Sequence, residues 1–459
     1  KALFECACTT TTKLVVSGQD VPELAVALLQ AIKAAAAANY FTAILSPDRT
    51  FQILRNDGSI LSTGGGIERE TIYTAFRSFT DNEGTWFLPR FGNRCSIATT
   101  MSLGSSPFIS EDRRLGLNTL GCLTALMLIH GVAPDPLSPS VIQWAANLCD
   151  VHSLTREFVG EWFPELKVLL DDWRSMGPTG DISPYQSHFA TYHDTQAACL
   201  QNRDLAQHEA LAIDMLYTAL IGPQPLLHGE LQAFVTGFRL PCQNGFDFAQ
   251  VIRSFPGGSS TFISQTWTSL IHDFHSIQPH LSLFSMTRRQ LAQFVQPTSP
   301  VLNMDLNERF KQFLLGSGAP CPRLLEEAMP RFSKLIPWDK IDSSACRSLV
   351  FCWAATGSPH VEYSEIDLQM VVNWIGPNEQ SYHSDAATRA CLMQQGEIAF
   401  RTCFRSVGIP VIYLVDLCSR SYPARDENGN ETEPFTQEQA IDHWFLTQFL
   451  GAIGGHSIL

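Results

Sequence analysis

The sequence predicts an α+β protein of two lobes, a large and mainly helical one followed by a smaller one that mixes helices with strands. Three observations predict it. The chain has 459 residues, and at roughly 150 residues per folding unit that exceeds what one hydrophobic core organises. Apolar residues recur at helical spacing up to about Phe294, the pattern of helices that bury one face. Beyond Phe310 more helical runs are followed by the stretch Ile409 to Val415, whose β-branched and aromatic residues favour a strand. The boundary therefore falls between about Pro297 and Pro322. It gives a first lobe over 1–300, a hinge over 301–320 and a second lobe over 321–459, each side with apolar residues for its own core.

The elements follow in order. Asp20 caps a helix with Pro22 and Glu23 in its first turn, and strong helix formers run from there to a stop at Asn39. Phe41 to Leu45 and Phe51 to Leu54, then Asp57-Gly58 before Ser59-Ile60-Leu61, read as a small β meander. Ile67, Ile72, Tyr73, Phe76 and Phe79 share a helical face, and Arg114 to Gly131 fits a largely buried helix. Near the end, Thr436 and Gln439 make a capping box for a last helix with Ile441, Trp444, Phe445 and Phe449 on its apolar side.

Composition excludes several classes. With 45% hydrophobic and 17% charged residues the chain is an ordinary folded protein. Its longest apolar run, Leu120 to Ile129, is far short of the roughly 20 residues that span a bilayer, so no membrane segment is expected. The opening residues lack the apolar core and cleavage site of a secretory signal, and the start at Lys1 is compatible with a processed or excised piece. The 13 cysteines, an odd number without regular spacing, read as mostly reduced and point to the cytoplasm or nucleus. A net charge of −14 without a run of Lys or Arg longer than two speaks against nucleic acid and for protein or small-molecule partners.

Most constellations have an ordinary reading. Gly64-Gly65-Gly66 precedes a helix but continues as Ile-Glu-Arg-Glu, setting negative charge where a bound phosphate would lie. Gly257-Gly258 marks a turn. His272, His275 and His280 lack companions at metal-site spacing, so neither metal nor cofactor is expected. Asp426, Asn428 and Asn430 imitate a calcium loop that has Glu431 where its sharp turn needs Gly. The sequon at Asn430 matters only in a secreted protein.

One cysteine has a different setting. Cys403 lies in Ala-Phe-Arg-Thr-Cys-Phe-Arg-Ser-Val-Gly-Ile-Pro, at the edge of the strand-like run and between Arg401 and Arg405. Nearby guanidinium groups favour the thiolate, the attacking form of the thiol. Cys391 sits in a helical segment that favours a buried thiol, and Cys418 follows Leu417 at the far end of the expected strand.

Thr402-Cys403-Phe404, with Ile409-Pro410 closing seven residues after the cysteine, resembles the catalytic Thr-Cys-Phe-Asn segment and Leu-Pro pair of the HECT-type ubiquitin-protein ligases. Phe351 with Thr356-Gly357-Ser358-Pro359 is similar to that family's Phe-x-x-Gly-Ser/Thr-x-Arg-x-Pro, and Gly376-Pro377 to the Gly-Pro ahead of its catalytic loop. Upstream, Gly65-Gly66-Ile67-Glu68-Arg69-Glu70, Leu120-Gly121 through His130-Gly131, Gln232-Ala233-Phe234 with Gly237-Phe238, and Phe284 to Leu291 resemble large-lobe segments in family order. The resemblance spans residues 60 to 459. Arg405 stands where the family has Asn, Arg401 where it has a small residue or His, and His456 where it has a Phe near the chain end. About 25 residues separate Gly376-Pro377 from Cys403, more than is usual in the family.

The resemblance implies a divergent HECT domain. Its first lobe would receive a charged ubiquitin-conjugating enzyme. Its second would carry ubiquitin as a thioester on Cys403, supported by Thr402, Phe404, Arg405 and Pro410, to a lysine of a protein substrate. Thioester exchange between two cysteines, one thiolate attacking and the other leaving, is near thermoneutral, so such a site needs an exposed thiolate and positioning. The attacking lysine needs a proton acceptor, and His456 is one candidate for that or for orientation. Arg405 and His456 equally fit an inert HECT-like scaffold that binds ubiquitin or its conjugating enzyme.

Overall fold

The computed structural model describes residues 13–100, 109–185, 203–224, 228–242, 245–268, 271–320, 342–361, 369–420 and 436–453, apart from the side chains of Glu83, Asn93, Thr268 and Cys403. Helix and strand are mixed in an α+β protein in which helix predominates. The chain divides into two compact units, one of Lys1–Val16, Ala25–Arg49 and Ile72–Thr268, the other of Ser17–Leu24, Thr50–Thr71 and Ser269–Leu459. Among the described residues no helix is long and apolar enough to cross a membrane.

The expected first helix is α1 (Val21–Ala37), and Asp20 accepts the Glu23 amide at 2.8 Å. Ahead of it lies an unforeseen strand, β1 (Val15–Gly18). The meander is smaller than expected. β2 (Thr50–Leu54) and β3 (Ile60–Thr63) pair antiparallel, but residues 42–45 form a turn. Phe41, Ile44 and Leu45 are buried, so their apolar character reflects burial and carries no strand pairing. α2 (Gly65–Thr80) begins at the glycine run.

In the first unit, β4 (Phe87–Pro89) and β5 (Cys95–Ile97) form a short antiparallel pair. α3 (Glu111–Ile129) is capped by Ser110 and buried from Gly116 to Leu128. α4 (Gly229–Arg239) packs against it through glycines. A Cβ on Gly121 would overlap the carbonyl oxygen of Phe234, and one on Gly237 would overlap that of Asn118. Two segments singled out separately in the sequence therefore face one another at backbone contact.

The second unit is built on a four-stranded sheet of order β6-β7-β9-β8. β6 (Leu281–Phe284), β7 (Met370–Ile375) and β9 (Ser406–Pro410) run parallel, and β8 (Ala399–Arg401) is antiparallel to β9. The helices of this unit are α5 (Leu306–Leu315), α6 (Cys346–Thr356), α7 (Ala386–Gln395), α8 (Val411–Ser419) and α9 (Gln437–Ala452). Phe310 and Phe313 of α5, Phe351 of α6, and Phe445 and Phe449 of α9 interlock at centroid spacings of 5.2 to 6.3 Å, the range of favourable aromatic pairs. The expected capping box of α9 is present, with Thr436 and Gln439 each bonded to the other's amide.

Two readings need correction. The run Ile409 to Val415 is a strand only through Pro410; Val411–Ser419 is helical. Proline fixes φ near the helical value and is tolerated at a helix start, and Val411, Leu414, Leu417 and Cys418 then bury one face at three-to-four-residue spacing. The segment 301–320 holds α5, tied to the sheet by Asn307, which donates to Leu283 O at 3.3 Å and accepts from Trp374 Nε1 at 3.1 Å. The division of the chain falls upstream, between Thr268 and Ser269.

Candidate functional site

Cys403 belongs to the connection of a tight hairpin. Arg401 of β8 pairs with Ser406 of β9, and between them Thr402–Phe404 makes one 3-10 turn. Arg405 closes the turn in the left-handed region at φ 51°, ψ 37°, its amide donating to Thr402 O at 3.3 Å and its carbonyl accepting the Val371 amide at 2.8 Å. A side chain with Cβ is strained in that region and Asn tolerates it best. Cys403 is the middle residue of the turn; its side chain lies outside the described residues, as does His456. Thr402 is buried, Phe404 is 79% exposed, and Pro410 is buried at the end of β9.

The stem of the hairpin is held by its alternation. Phe400, Val407 and Ile409 are buried, and Phe400 meets Phe449 of the aromatic cluster at 5.7 Å. Arg401, Ser406, Gly408 and Ala399 line an open groove of about 330 Å³ that continues to Asn373 and Tyr382. Gly408 keeps its floor low, since a Cβ there would meet Ile375 Cδ1 at 3.2 Å.

Arg405 lines a different cavity, with Arg69, His280, Cys352, Thr356 and His360. The flanking arginines thus line separate cavities, a geometry that sequence adjacency could not reveal. Burial, then repulsion from Arg69, pulls the Arg405 guanidinium below its ordinary pKa, with Cys352 acting the other way. Burial pushes the Cys352 thiol up to about 12, although Thr356 and the two arginines oppose it. Arg69 donates from Nε and Nη2 to Thr356 O at 3.1 and 2.7 Å. The motif around Gly66, the one around Gly357 and the Cys403 turn are therefore neighbours in space. Sequence order hinted at none of this, and Cys352 and His360 carried no sequence signal.

The remaining described thiols divide by burial. Burial pushes Cys149 up to about 11 and Cys346 up to about 12, and raises Cys122 and Cys418 as well. Cys418 is buried on α8, on a helix where a strand end was expected. Cys391 is on a helix as expected but is exposed: the buried face of α7 carries Arg389 and Met393 and leaves position 391 on the outside. His275 Nδ1 lies 3.2 Å from Gln278 Oε1, and among the described residues no group of three or more His, Cys, Asp and Glu side chains could hold a metal. Gly65 and Gly66 open α2, and of the other glycine pair Gly257 is in a turn and Gly258 opens the helix that follows, both at positive φ. The stretch with Asp426, Asn428 and Asn430 lies outside the described residues.

No protein-family model matches the chain, and no curated protein matches it.

Proposed function

We propose that this chain is a bilobal HECT-type ubiquitin ligase that accepts ubiquitin from a conjugating enzyme as a thioester on Cys403 and passes it to a substrate lysine. The observation that carries the reading is the position of Cys403 in a hairpin turn beside the exposed Phe404, whereas most of the described thiols are buried or raised in pKa. A turn offers the approach that thioester exchange requires. The groove lined by Arg401 and Ser406 flanks the same turn. In this reading the unit with residues 72–268 receives the conjugating enzyme, the unit with residues 269–459 carries Cys403, and the protein works in the cytoplasm or nucleus.

Arg405 favours a second reading, an inert scaffold that binds ubiquitin or its conjugating enzyme, because it places a strained and half-buried cation where the family has Asn. One experiment separates them. Incubation with ubiquitin-charged conjugating enzyme should give a reductant-sensitive ubiquitin adduct on this chain; binding without an adduct, across a panel of conjugating enzymes, would favour the scaffold.

A further inference from the structure

We infer that Gly66, Arg69 and Gly357 act together as a clamp that positions the Cys403 turn, which makes the glycine run a part of the site and leaves it no role with phosphate. The inference deepens the reading of Cys403 as the ubiquitin acceptor and rests on it for its role in transfer. Gly65 and Gly66 are neighbours in the first turn of α2 but differ in what surrounds them. A Cβ on Gly65 would meet nothing within 4 Å. On Gly66 it would stand 2.6 Å from Thr402 Oγ1, 2.8 Å from Thr402 Cβ and 3.1 Å from the Thr402 carbonyl carbon, the atom bonded to the Cys403 nitrogen. Glycine is a poor helix former, so this position keeps a residue that weakens α2 and permits contact with the turn.

The other side of the same helical turn is fixed with equal closeness. Gly357 ends α6 in the left-handed conformation, at φ +76°, and a Cβ there would stand 2.5 Å from Gly66 O. Three residues along α2, Arg69 takes Thr356 O with two donors. The first turn of α2 is thus held between the end of α6 and Thr402. Only a side chain absent at both 66 and 357 lets three backbone segments meet. Gly66, Arg69 and Gly357 are positioning residues, acting through Thr402.

The test reads the Cys403 thiol directly. Iodoacetamide alkylation of the full chain is followed by peptide mass spectrometry, with the exposed Cys391 as an internal reference in the same molecule. Gly66→Ala should change the ratio of the Cys403 to the Cys391 rate at least fivefold, and Gly65→Ala should leave it within twofold of the unsubstituted chain. Thr402→Gly removes the two nearest contacts, so the Gly66→Ala/Thr402→Gly pair should return toward the Thr402→Gly value, a non-additivity expected only of groups in contact. Should Gly66→Ala fail to fold, Arg69→Met takes its place, with recovery expected in Arg69→Lys. A ratio unchanged within twofold in a folded Gly66→Ala or Arg69→Met chain overturns the clamp. Adduct formation from charged conjugating enzyme, measured on the same variants, separates the two ideas: an unsubstituted chain that forms no adduct counts against the ligase reading, while the alkylation ratios still decide the clamp.

Discussion

Arg203 donates its Nε–H to Nδ1 of His208 at 2.9 Å. A guanidinium cannot accept, so Nδ1 must be unprotonated, and Nε2, 2.9 Å from Trp173 O, carries the ring's proton. The ring also stacks on Trp173 at 4.6 Å. The fold therefore holds His208 neutral, and burial, with a further contribution from Arg203, lowers its pKa while the bond to Trp173 O opposes them.

The sign of the pH effect follows. The unfolded chain protonates this histidine below about 6.5 and the folded chain resists, so its contribution is complete above that value and is lost as pH falls below it. Thermal unfolding should show a midpoint that drops between pH 7.5 and 5.5. His208→Gln, which keeps a donor for Trp173 O, should flatten that drop; an identical pH profile in the variant would refute the assignment.

Asp442 holds two cations. Its Oδ2 accepts Arg347 Nη1 at 2.7 Å, and its Oδ1 accepts Arg309 Nη2. The Arg347 side chain is only 8% exposed and donates further to Gly318 O and Phe313 O. Removing the carboxylate strands charge that water barely reaches, which destabilises by about 3 kcal/mol in such settings. Asp442→Ala should lower the urea midpoint accordingly, and a loss under about 1 kcal/mol would show that solvent compensates.

The contact of α3 with α4 gives a steric prediction. Alanine at Gly121 or Gly237 must push two backbones apart, and overpacking of this kind costs about 1 to 3 kcal/mol even where side chains can yield. Either substitution should destabilise by at least about 2 kcal/mol, although alanine is the better helix former. A neutral effect in chemical denaturation would mean that the helices do not meet as described.

What the sequence made legible was local. Asp20 and Thr436 marked helix starts because a cap bonds within four residues, and the buried helix around Leu120 followed from its apolar density. Val411 to Val415 misled because β-branched residues suit a strand or a buried helix face equally, and only Pro410 and the downstream spacing decide between them. The turn at Cys403 was legible as an element edge, but adjacency in sequence could not tell that its flanking residues Arg401 and Arg405 line separate cavities. The approach of Gly66 to Thr402 spans more than 300 residues of chain, and no local periodicity records it.

The exposure of Cys391 makes the final prediction a contest between two thiols. Accessibility alone does not favour Cys403, since Cys391 is open to solvent on α7. Their surroundings differ. Near Cys391, the guanidinium of Arg389 is turned to Pro377 O and His383 O at 3.1 and 2.6 Å, so it is engaged with backbone carbonyls. Cys403 is the middle residue of a hairpin turn, two residues after Arg401, which is exposed and lines the open groove, and a cation near a thiol favours the thiolate. Cys403→Ala should abolish the reductant-labile ubiquitin adduct while shifting stability by no more than about 1 to 2 kcal/mol, and Cys391→Ala should leave the adduct intact. Cys403→Ser should give an adduct that survives thiol but yields to hydroxylamine, or none, because an oxyester forms more slowly and resists thiols. A thioester that persists in Cys403→Ala and disappears in Cys391→Ala would move the acceptor to α7 and remove the hairpin turn from the mechanism.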